Sequence, residues 1–592
     1  MNQNIFNLLC ALIIGGIIAL ISIAINQGNS ATVVSLNQSL SMGLFGAIIC
    51  YIALVPAIFK QIKHVCCDYD WAEETIHFYN HIPAKYRQCF WISFCFINIA
   101  FLFHTINFMW GNADWQAVRT AVDHTESLKA GTFSAYWLQE LLFDGKILPV
   151  INNLWAFAGL SLAGVLLAIY WNMPMRATPI VITTLLFSIT PYTLSILYYA
   201  KSTLGICWLP TIVLTALMLS EKNKKTELGT YLSNIAAVLL FLVSLGTYTP
   251  VINFVAVLLV GKLILKTVFA DIGIKTILQR QLQSVSNFTA ALMMYLFILF
   301  LLKETGKLDT AIAENLNSAL ILPWQNLVLT ISTSLTQFAT PLPFMDITYK
   351  GCYLILTLLG IFTIIFKAPN IKAAIRGLSL IPLLIFVSTL ATLFISAQQA
   401  DYARSCFFGL SFVYVLMFIL IIRLSGNALY RLGYALAILL IFMNFVRVAY
   451  AEKVWKFGWD AETKLAERII TRLEKMPDFN IDRQYQLLQI GEKSLRSKYY
   501  LPGLYEKTNG ELLSKAYYPE GASADAYNFF YQTDFLSGDA KAEALENEDI
   551  KHYLLNQARA WPAKESLYIR GNYIVIVLDE VALAQTQKLL SK

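Results

Sequence analysis

Stretches of about 20 mostly apolar residues recur from near the N-terminus to residue 451, and they constrain the fold more than any other feature of the chain. Each is long enough to cross the hydrocarbon of a bilayer as a helix, the one open form in which a lone segment satisfies its own backbone hydrogen bonds. Hydropathy places about thirteen of them, near residues 5–25, 40–59, 89–109, 148–170, 178–197, 203–219, 230–246, 249–266, 287–303, 351–367, 379–396, 406–424 and 433–451. Composition agrees, with 57% hydrophobic and only 14% charged residues. A water-soluble protein of this size would need far more charge to cover its surface. The expected fold class is a polytopic α-helical membrane protein with about thirteen transmembrane helices.

Charge in the connections sets the orientation. Alternate loops are basic: Lys222, Lys224 and Lys225; Lys262, Lys266, Lys275 and Arg280; Lys367, Lys372 and Arg376; Arg423 and Arg431. The loops between them are neutral or acidic, such as 110–147 with Asp114, Asp123, Glu126, Glu140 and Asp144. Basic loops stay in the cytoplasm, so the N-terminus is expected inside, and the loops 110–147 and 304–350 and everything after residue 451 outside. The first apolar run lacks a basic leader and a small-residue cleavage site and reads as a retained helix. The net charge of +7 follows this loop pattern rather than a nucleic-acid surface.

Both large outer loops carry amphipathic stretches, Phe133–Phe143 in the first and Ala319–Trp324 with Leu327–Leu335 in the second, suited to the membrane interface. Residues 452–592 differ in kind, with frequent charges and no cysteine. There Asp460 is expected to cap a helix with an apolar stripe of Ala461, Leu465, Ile469, Leu473 and Met476. Strands are expected at Tyr485–Ile490 and Asn572–Leu578, and a helix from Glu580. The chain therefore divides into a transmembrane domain, 1–451, and an α/β domain, 452–592, of about 140 residues, enough to bury its own core.

Several chemistries are excluded by what the sequence lacks. No GxGxxG follows a strand, and no GKS or GKT, HExxH or GxSxG occurs. The nine cysteines show no CxxC spacing, and Cys66-Cys67 beside His64 is too close-set to serve as half of a zinc site. Few ionisable groups fall mid-span, unlike an ion-coupled carrier. His104 reads as an ordinary interfacial histidine. What remains is a set of ionisable groups at the outer boundary: Asp114 and Arg119 in Trp110-Gly-Asn112-Ala-Asp114-Trp115 and just beyond, Lys201, Lys303-Glu304, and Asp401 with Arg404. One acid among cations at one depth suits a reaction in which a hydroxyl is deprotonated while a phosphate leaves. Each cation also suits the plainer role of a snorkelling boundary residue.

These residues carry a resemblance. Asn112-Ala-Asp114-Trp115, then Ala130-Gly-Thr-Phe133-Ser-Ala-Tyr-Trp-Leu-Gln139 and Gly145-Lys-Ile-Leu-Pro149-Val-Ile-Asn-Asn-Leu154, resemble the Gtr-type O-antigen glucosyltransferases of the GT-C superfamily of membrane glycosyltransferases. The turn Thr247-Tyr-Thr-Pro250, and Trp561-Pro562 before a terminal Val/Ile strand, add to the likeness. The chain departs from that pattern at Ala113, where a second acid is common, and at Gly131-Thr132, where Gly-Arg is common. The first departure leaves Asp114 without an adjacent acid for a metal. The second leaves phosphate binding to Arg119 or Arg404.

The resemblance implies a GT-C-like fold in the bacterial inner membrane with a periplasmic C-terminal domain. It implies transfer of a hexosyl, specifically glucosyl, unit from a polyprenyl-phosphate sugar to a periplasmic glycan such as O-antigen or lipopolysaccharide. Asp114 is the expected general base, with Arg404, Arg119, Lys201, Asn112, Trp115 and Asp401 in the binding site. No cofactor is required by this scheme, and a divalent cation is compatible with it. The expected partners are the lipid-linked donor, the glycan acceptor and the bilayer, with no nucleic acid. The alternatives are a flippase-type lipid or polysaccharide transporter, and an O-antigen polymerase or ligase.

Overall fold

A computed structural model describes residues 82–108, 124–197, 200–221, 227–270, 274–309, 347–391, 403–424, 428–491, 523–538 and 546–591, with a few isolated positions such as Val122. The chain divides into two compact units, Met1–Arg87 and Gln88–Lys592. Nearly all described residues belong to the second. The expected spans at 5–25 and 40–59, the Cys66-Cys67 pair and most of loop 304–350 lie outside the described residues.

Helices dominate the described chain up to residue 473. They are α1 (Ala84–Ala100), α2 (Leu102–Ile106), α3 (His124–Lys129), α4 (Trp137–Phe143), α5 (Pro149–Tyr170), α6 (Ala177–Ser188), α7 (Pro191–Leu197) and α8 (Ala200–Glu221). There follow α9 (Glu227–Thr247), α10 (Val251–Phe269), α11 (Ile274–Glu304), α12 (Ile347–Lys367), α13 (Ile371–Val387), α14 (Ala403–Ile422) and α15 (Ala428–Leu473). Among the described residues seven helices are long and apolar enough to cross a membrane: α5, α8, α9, α10, α11, α12 and the first part of α15. Shorter apolar helical stretches among the described residues are α6 and the part Gly409–Ile422 of α14. The segment 178–197 is two pieces, α6 and α7, parted at Ile189-Thr190. Pro191 accounts for the break, because it removes a donor and disfavours helical backbone at the residue before it.

Close packing holds the bundle. A side chain at Gly159 of α5 would lie 2.8 Å from the Trp208 ring of α8, and one at Gly164 would collide with Thr184 of α6. Beside these contacts the Trp208 indole donates to the Trp155 carbonyl (2.9 Å) and the Thr211 hydroxyl to the Gly159 carbonyl (2.7 Å). Small residues that let helices approach, with hydrogen bonds across the seam, replace the hydrophobic drive that lipid cannot supply. On α11, Leu282, Met293, Phe297 and Phe300 are exposed although apolar, as expected of a surface that meets lipid.

One end of the bundle is closed by charge. Lys262 of α10 pairs with Glu221 at the end of α8, and the Tyr170 hydroxyl at the end of α5 donates to Glu221 (3.2 Å). The Lys262 ammonium also lies 3.9 Å from the centre of the Tyr170 ring. Lys262 is 8% exposed and Glu221 20%. This triad ties three helices at the end that the charge pattern assigns to the cytoplasm.

Helix α15 runs unbroken for 46 residues, so residue 451 falls inside it. Asp460 is therefore not the helix cap that the sequence suggests. It sits mid-helix and pairs with Lys456 one turn earlier. The expected apolar stripe is present: Leu465, Ile469 and Leu473 are buried, with Met476 packed beside them. They lie on a four-stranded sheet of β1 (Tyr485–Ile490), β2 (Phe535–Gly538), β3 (Leu567–Arg570) and β4 (Tyr573–Val577), in the order β2-β1-β4-β3. β1 is parallel to both β2 and β4, and β3 is antiparallel to β4. The stripe of α15 and α16 (Ser523–Tyr531) cover one face through Tyr485, Leu487 and Tyr527. α17 (Glu548–Asn556) and α18 (Glu580–Leu590) cover the other through Leu488, Ile490, Tyr553 and Leu583. Burial on both faces explains why β4 is a continuous apolar run, YIVIV.

Candidate functional site

The loop that follows α2 is anchored at the bundle end opposite the Tyr170 triad. Val122, Ala135, Tyr136, Ile147 and Ala200 form a small apolar cluster, and Phe108 packs against it. The Val122 amide donates to the Gly145 carbonyl (3.0 Å). Residues 108 and 122, which flank the segment carrying Asp114, are thus held at one apolar foot.

Neutral hydrogen bonds clamp residues 131–139 onto the helices. The Ser134 amide donates to the Gly246 carbonyl (3.0 Å), and its hydroxyl to the Val243 carbonyl (2.8 Å). The Thr247 hydroxyl lies within hydrogen-bonding reach of the Ser134 carbonyl (3.1 Å) and the Val243 carbonyl (2.8 Å). From α11, the Tyr295 hydroxyl reaches the Gly131 carbonyl (3.3 Å) and the Thr249 hydroxyl (3.1 Å). Gly131 needs to be glycine: its φ is +69°, and a Cβ would meet Leu299 at 2.9 Å. The buried Gln139 amide donates to the Lys146 carbonyl and pairs with the Asn152 amide (3.1 Å). Asn153 next to it donates to the Thr105 hydroxyl (3.3 Å). The second loop joins here too, its Asp309 amide donating to the Lys129 carbonyl (3.0 Å).

Charged groups ring this foot. Lys201 pairs with Glu126 (2.8 Å), with the ammonium largely buried and the carboxylate half-exposed. His124 lies 3.2 Å from Glu140. Of the residues expected in the site, Lys201 is thus brought against an acid of the first loop. Arg404 falls in the first turn of α14, and its side chain lies outside the described residues. Asn112, Asp114, Trp115, Arg119 and Asp401 also lie outside them. Among the described residues no group of three His, Cys, Asp or Glu side chains is placed to hold a metal ion.

The structure adds a buried acid that the sequence reading passed over. His104 is fully buried, stacked on Trp455 of α15 (centroids 5.3 Å apart, planes at 19°) and 5.6 Å from the Phe108 ring. Glu452, one turn before Trp455 on the same helix face, is also fully buried. Among the described residues neither ring nitrogen of His104 and neither carboxylate oxygen of Glu452 has a side-chain hydrogen-bond partner, and the carboxylate faces the His104 backbone. The expected satisfied interfacial histidine is thus an unsatisfied one. An acid and an imidazole left this way are costly and call for an explanation. The signal available in sequence was the charge of Glu452 at a span end, where a solvated residue is the ordinary expectation.

The motif residues from three stretches of sequence, 130–139, 145–153 and 247–249, therefore meet at one end of the helix bundle. No curated protein and no solved structure matches the chain. A family model does match, that of the glucosyl transferase GtrII, over residues 114–424. The match begins at Asp114, takes in the whole clamp and ends before α15. It spans more than half of the chain, which therefore belongs to the GtrII glucosyl transferase family.

Proposed function

We propose that this glycosyltransferase moves a hexosyl unit, glucose by family, from a polyprenyl-phosphate sugar to a glycan such as O-antigen on the periplasmic side of the bacterial inner membrane. The observation that carries the reading is the clamp of residues 131–139 on Thr247 and Tyr295, because it gives the Asp114 loop a rigid foot at the end assigned to the outside. Nucleotide sugars stay in the cytoplasm, so an outward-facing transferase needs a donor that brings its leaving group through the membrane. A lipid phosphate does so.

In the proposed step the Asp114 carboxylate takes the proton of an acceptor hydroxyl. The hydroxyl oxygen attacks the anomeric carbon, and the bond from that carbon to the phosphate oxygen breaks. The lipid phosphate departs with the electron pair, toward Arg404, Arg119 and Lys201. Arg suits this position because its planar fork holds two phosphate oxygens. Lys201 exchanges Glu126 for the phosphate, or stays as the positioning partner of the loop. Asn112, Trp115 and Asp401 are assigned to substrate contacts. One base opposite the leaving group inverts the anomeric carbon, through a transition state with oxocarbenium character. In this scheme residues 452–592 form a periplasmic domain.

Mass spectrometry of surface glycans from cells with and without the protein tests the reading. An added mass of one hexose is expected. Identical glycans together with altered export of a lipid-linked saccharide would select a transporter instead.

A further inference from the structure

The site described so far leaves unused a basic groove on the C-terminal part of the chain. Its volume is about 610 Å³, and its lining is Lys464, Glu467, Arg468, Thr471, Arg472, Lys475 and Trp561. Four cations thus face one acid. The spacing 464, 468, 472 and 475 keeps them on one side of α15 and of the turn that ends it, over about 16 Å. Lys464, Arg468 and Lys475 are exposed, and none of the three forms an ion pair among the described residues. Such a run of uncompensated charge on a packed element is kept at a cost in self-repulsion.

The floor of the groove holds two of the cations in place. Trp561 is buried, and the Arg472 guanidinium lies 4.2 Å from its ring centre while that of Arg468 lies 5.6 Å away. Arg472 also donates from Nη1 to the carbonyls of Pro562 (3.0 Å) and Ala563 (2.9 Å). Arginines stacked on an indole lose little further freedom when an anion docks, which favours binding. The row of cations, about one helical turn apart, matches a ligand with several anionic groups rather than a single ion.

Position then selects the source of the anion. The apolar part of α15 ends at Lys453, and Lys464 lies about 16 Å further along the helix. The headgroup layer of one leaflet is only about 5–8 Å thick. A headgroup lying flat in that layer falls short of the groove, whereas the sugar chain of a glycolipid extends to it. We propose that this groove binds the anionic, phosphate- or carboxylate-bearing saccharide portion of the acceptor, apart from the transfer site. The proposal rests on the reading of the acceptor as a glycan.

The test uses full-length protein in phosphatidylcholine nanodiscs and three probes: a synthetic hexasaccharide with two phosphomonoesters, the same hexasaccharide dephosphorylated, and dihexanoyl phosphatidylglycerol. Binding is expected for the phosphorylated sugar alone, and raising the salt should weaken it. The variant carrying Lys464→Gln, Arg468→Gln and Lys475→Gln should bind it at least about tenfold more weakly. Arg472 is left in place because it holds backbone carbonyls. Circular dichroism of the variant should match wild type. Equal binding of both sugars, unchanged affinity in the triple variant, or preference for the phosphatidylglycerol overturns the proposal. Absence of binding of the phosphorylated sugar by the wild-type protein, with hexose transfer intact, would overturn it alone. Intact binding without any transfer would overturn the transferase reading instead.

Discussion

The two ends of the helix bundle handle polar groups in opposite ways. At the Tyr170 end a cation, an acid and a phenol satisfy one another in near-complete burial, tying α5, α8 and α10. At the other end the contacts between elements are mostly neutral, hydroxyl or amide to carbonyl, as in Ser134 with Val243 and Tyr295 with Gly131. Charges there stand at the rim, and the buried Glu452 and His104 have no side-chain hydrogen-bond partner among the described residues. A buried ion pair is costly to break but does little chemistry. Neutral bonds position a loop without imposing a field on whatever the loop carries. One end therefore holds the bundle together, and the other holds the two ends of the segment in which Asp114 is proposed to act.

The largest expected effect separates chemistry from scaffolding. Asp114→Asn should lower hexosyl transfer by ~10²–10⁴-fold while leaving thermal stability unchanged, since a general base contributes about that much. Transfer near wild-type level would move the base to Asp123, Glu126 or Glu140. At the opposite end, Lys262→Ala should destabilise the protein by about 3–5 kcal/mol, because it strands the Glu221 carboxylate. Chemical unfolding in detergent measures this. The double change Lys262→Met with Glu221→Gln should recover most of the loss, and a loss below about 1 kcal/mol in the single variant would mean that the pair is solvated.

Smaller changes probe the clamp itself. A Cβ at Gly205 would lie 2.8 Å from the Ala135 carbonyl and 3.1 Å from Thr247, so the loop backbone has to shift. Gly205→Ala is expected to cost about 1–3 kcal/mol and to depress turnover, whereas a Cβ at Gly351 meets nothing within 4 Å and Gly351→Ala should be harmless. Equal turnover in the two variants would show that the clamp does not position the loop. The smallest effect is Thr247→Val, which removes one hydroxyl from the Ser134 contact for about 1 kcal/mol. A modest fall in turnover without a change in donor affinity is expected from steady-state kinetics.

Much of the tail was legible from pattern. The strand at Tyr485–Ile490 has the expected ends, and a second runs from Tyr573 within the expected 572–578, because a strand buried on both faces shows itself as an apolar run. The stripe through Leu465, Ile469 and Leu473 was equally plain. Less visible was that it belongs to the same helix that leaves the membrane. The change of composition near residue 451 marks where the apolar part of the helix gives way to a charged part, and not an end of the helix. Asp460 carries the same ambiguity, since an acid after an apolar run looks like a cap until the helix is seen to continue. In the candidate site, sequence picked out Lys201 as a boundary cation but not its Glu126 partner, 75 residues away.

Class, span-length segments, loop charge and family were fixed within the sequence itself, because each depends on composition or on order along the chain. A bilayer selects for runs of apolar residues whatever they later touch, and a family match follows residue order over 114–424. The clamp, by contrast, pairs Ser134 with Thr247 across 113 residues and Gly131 with Tyr295 across 164. Nothing in local periodicity selects those partners, since any of many serines or tyrosines could serve. Only the packing of α5, α8, α9 and α11 brings the motif stretches to one place, and only the packing of α2 on α15 leaves Glu452 beside His104 rather than in water.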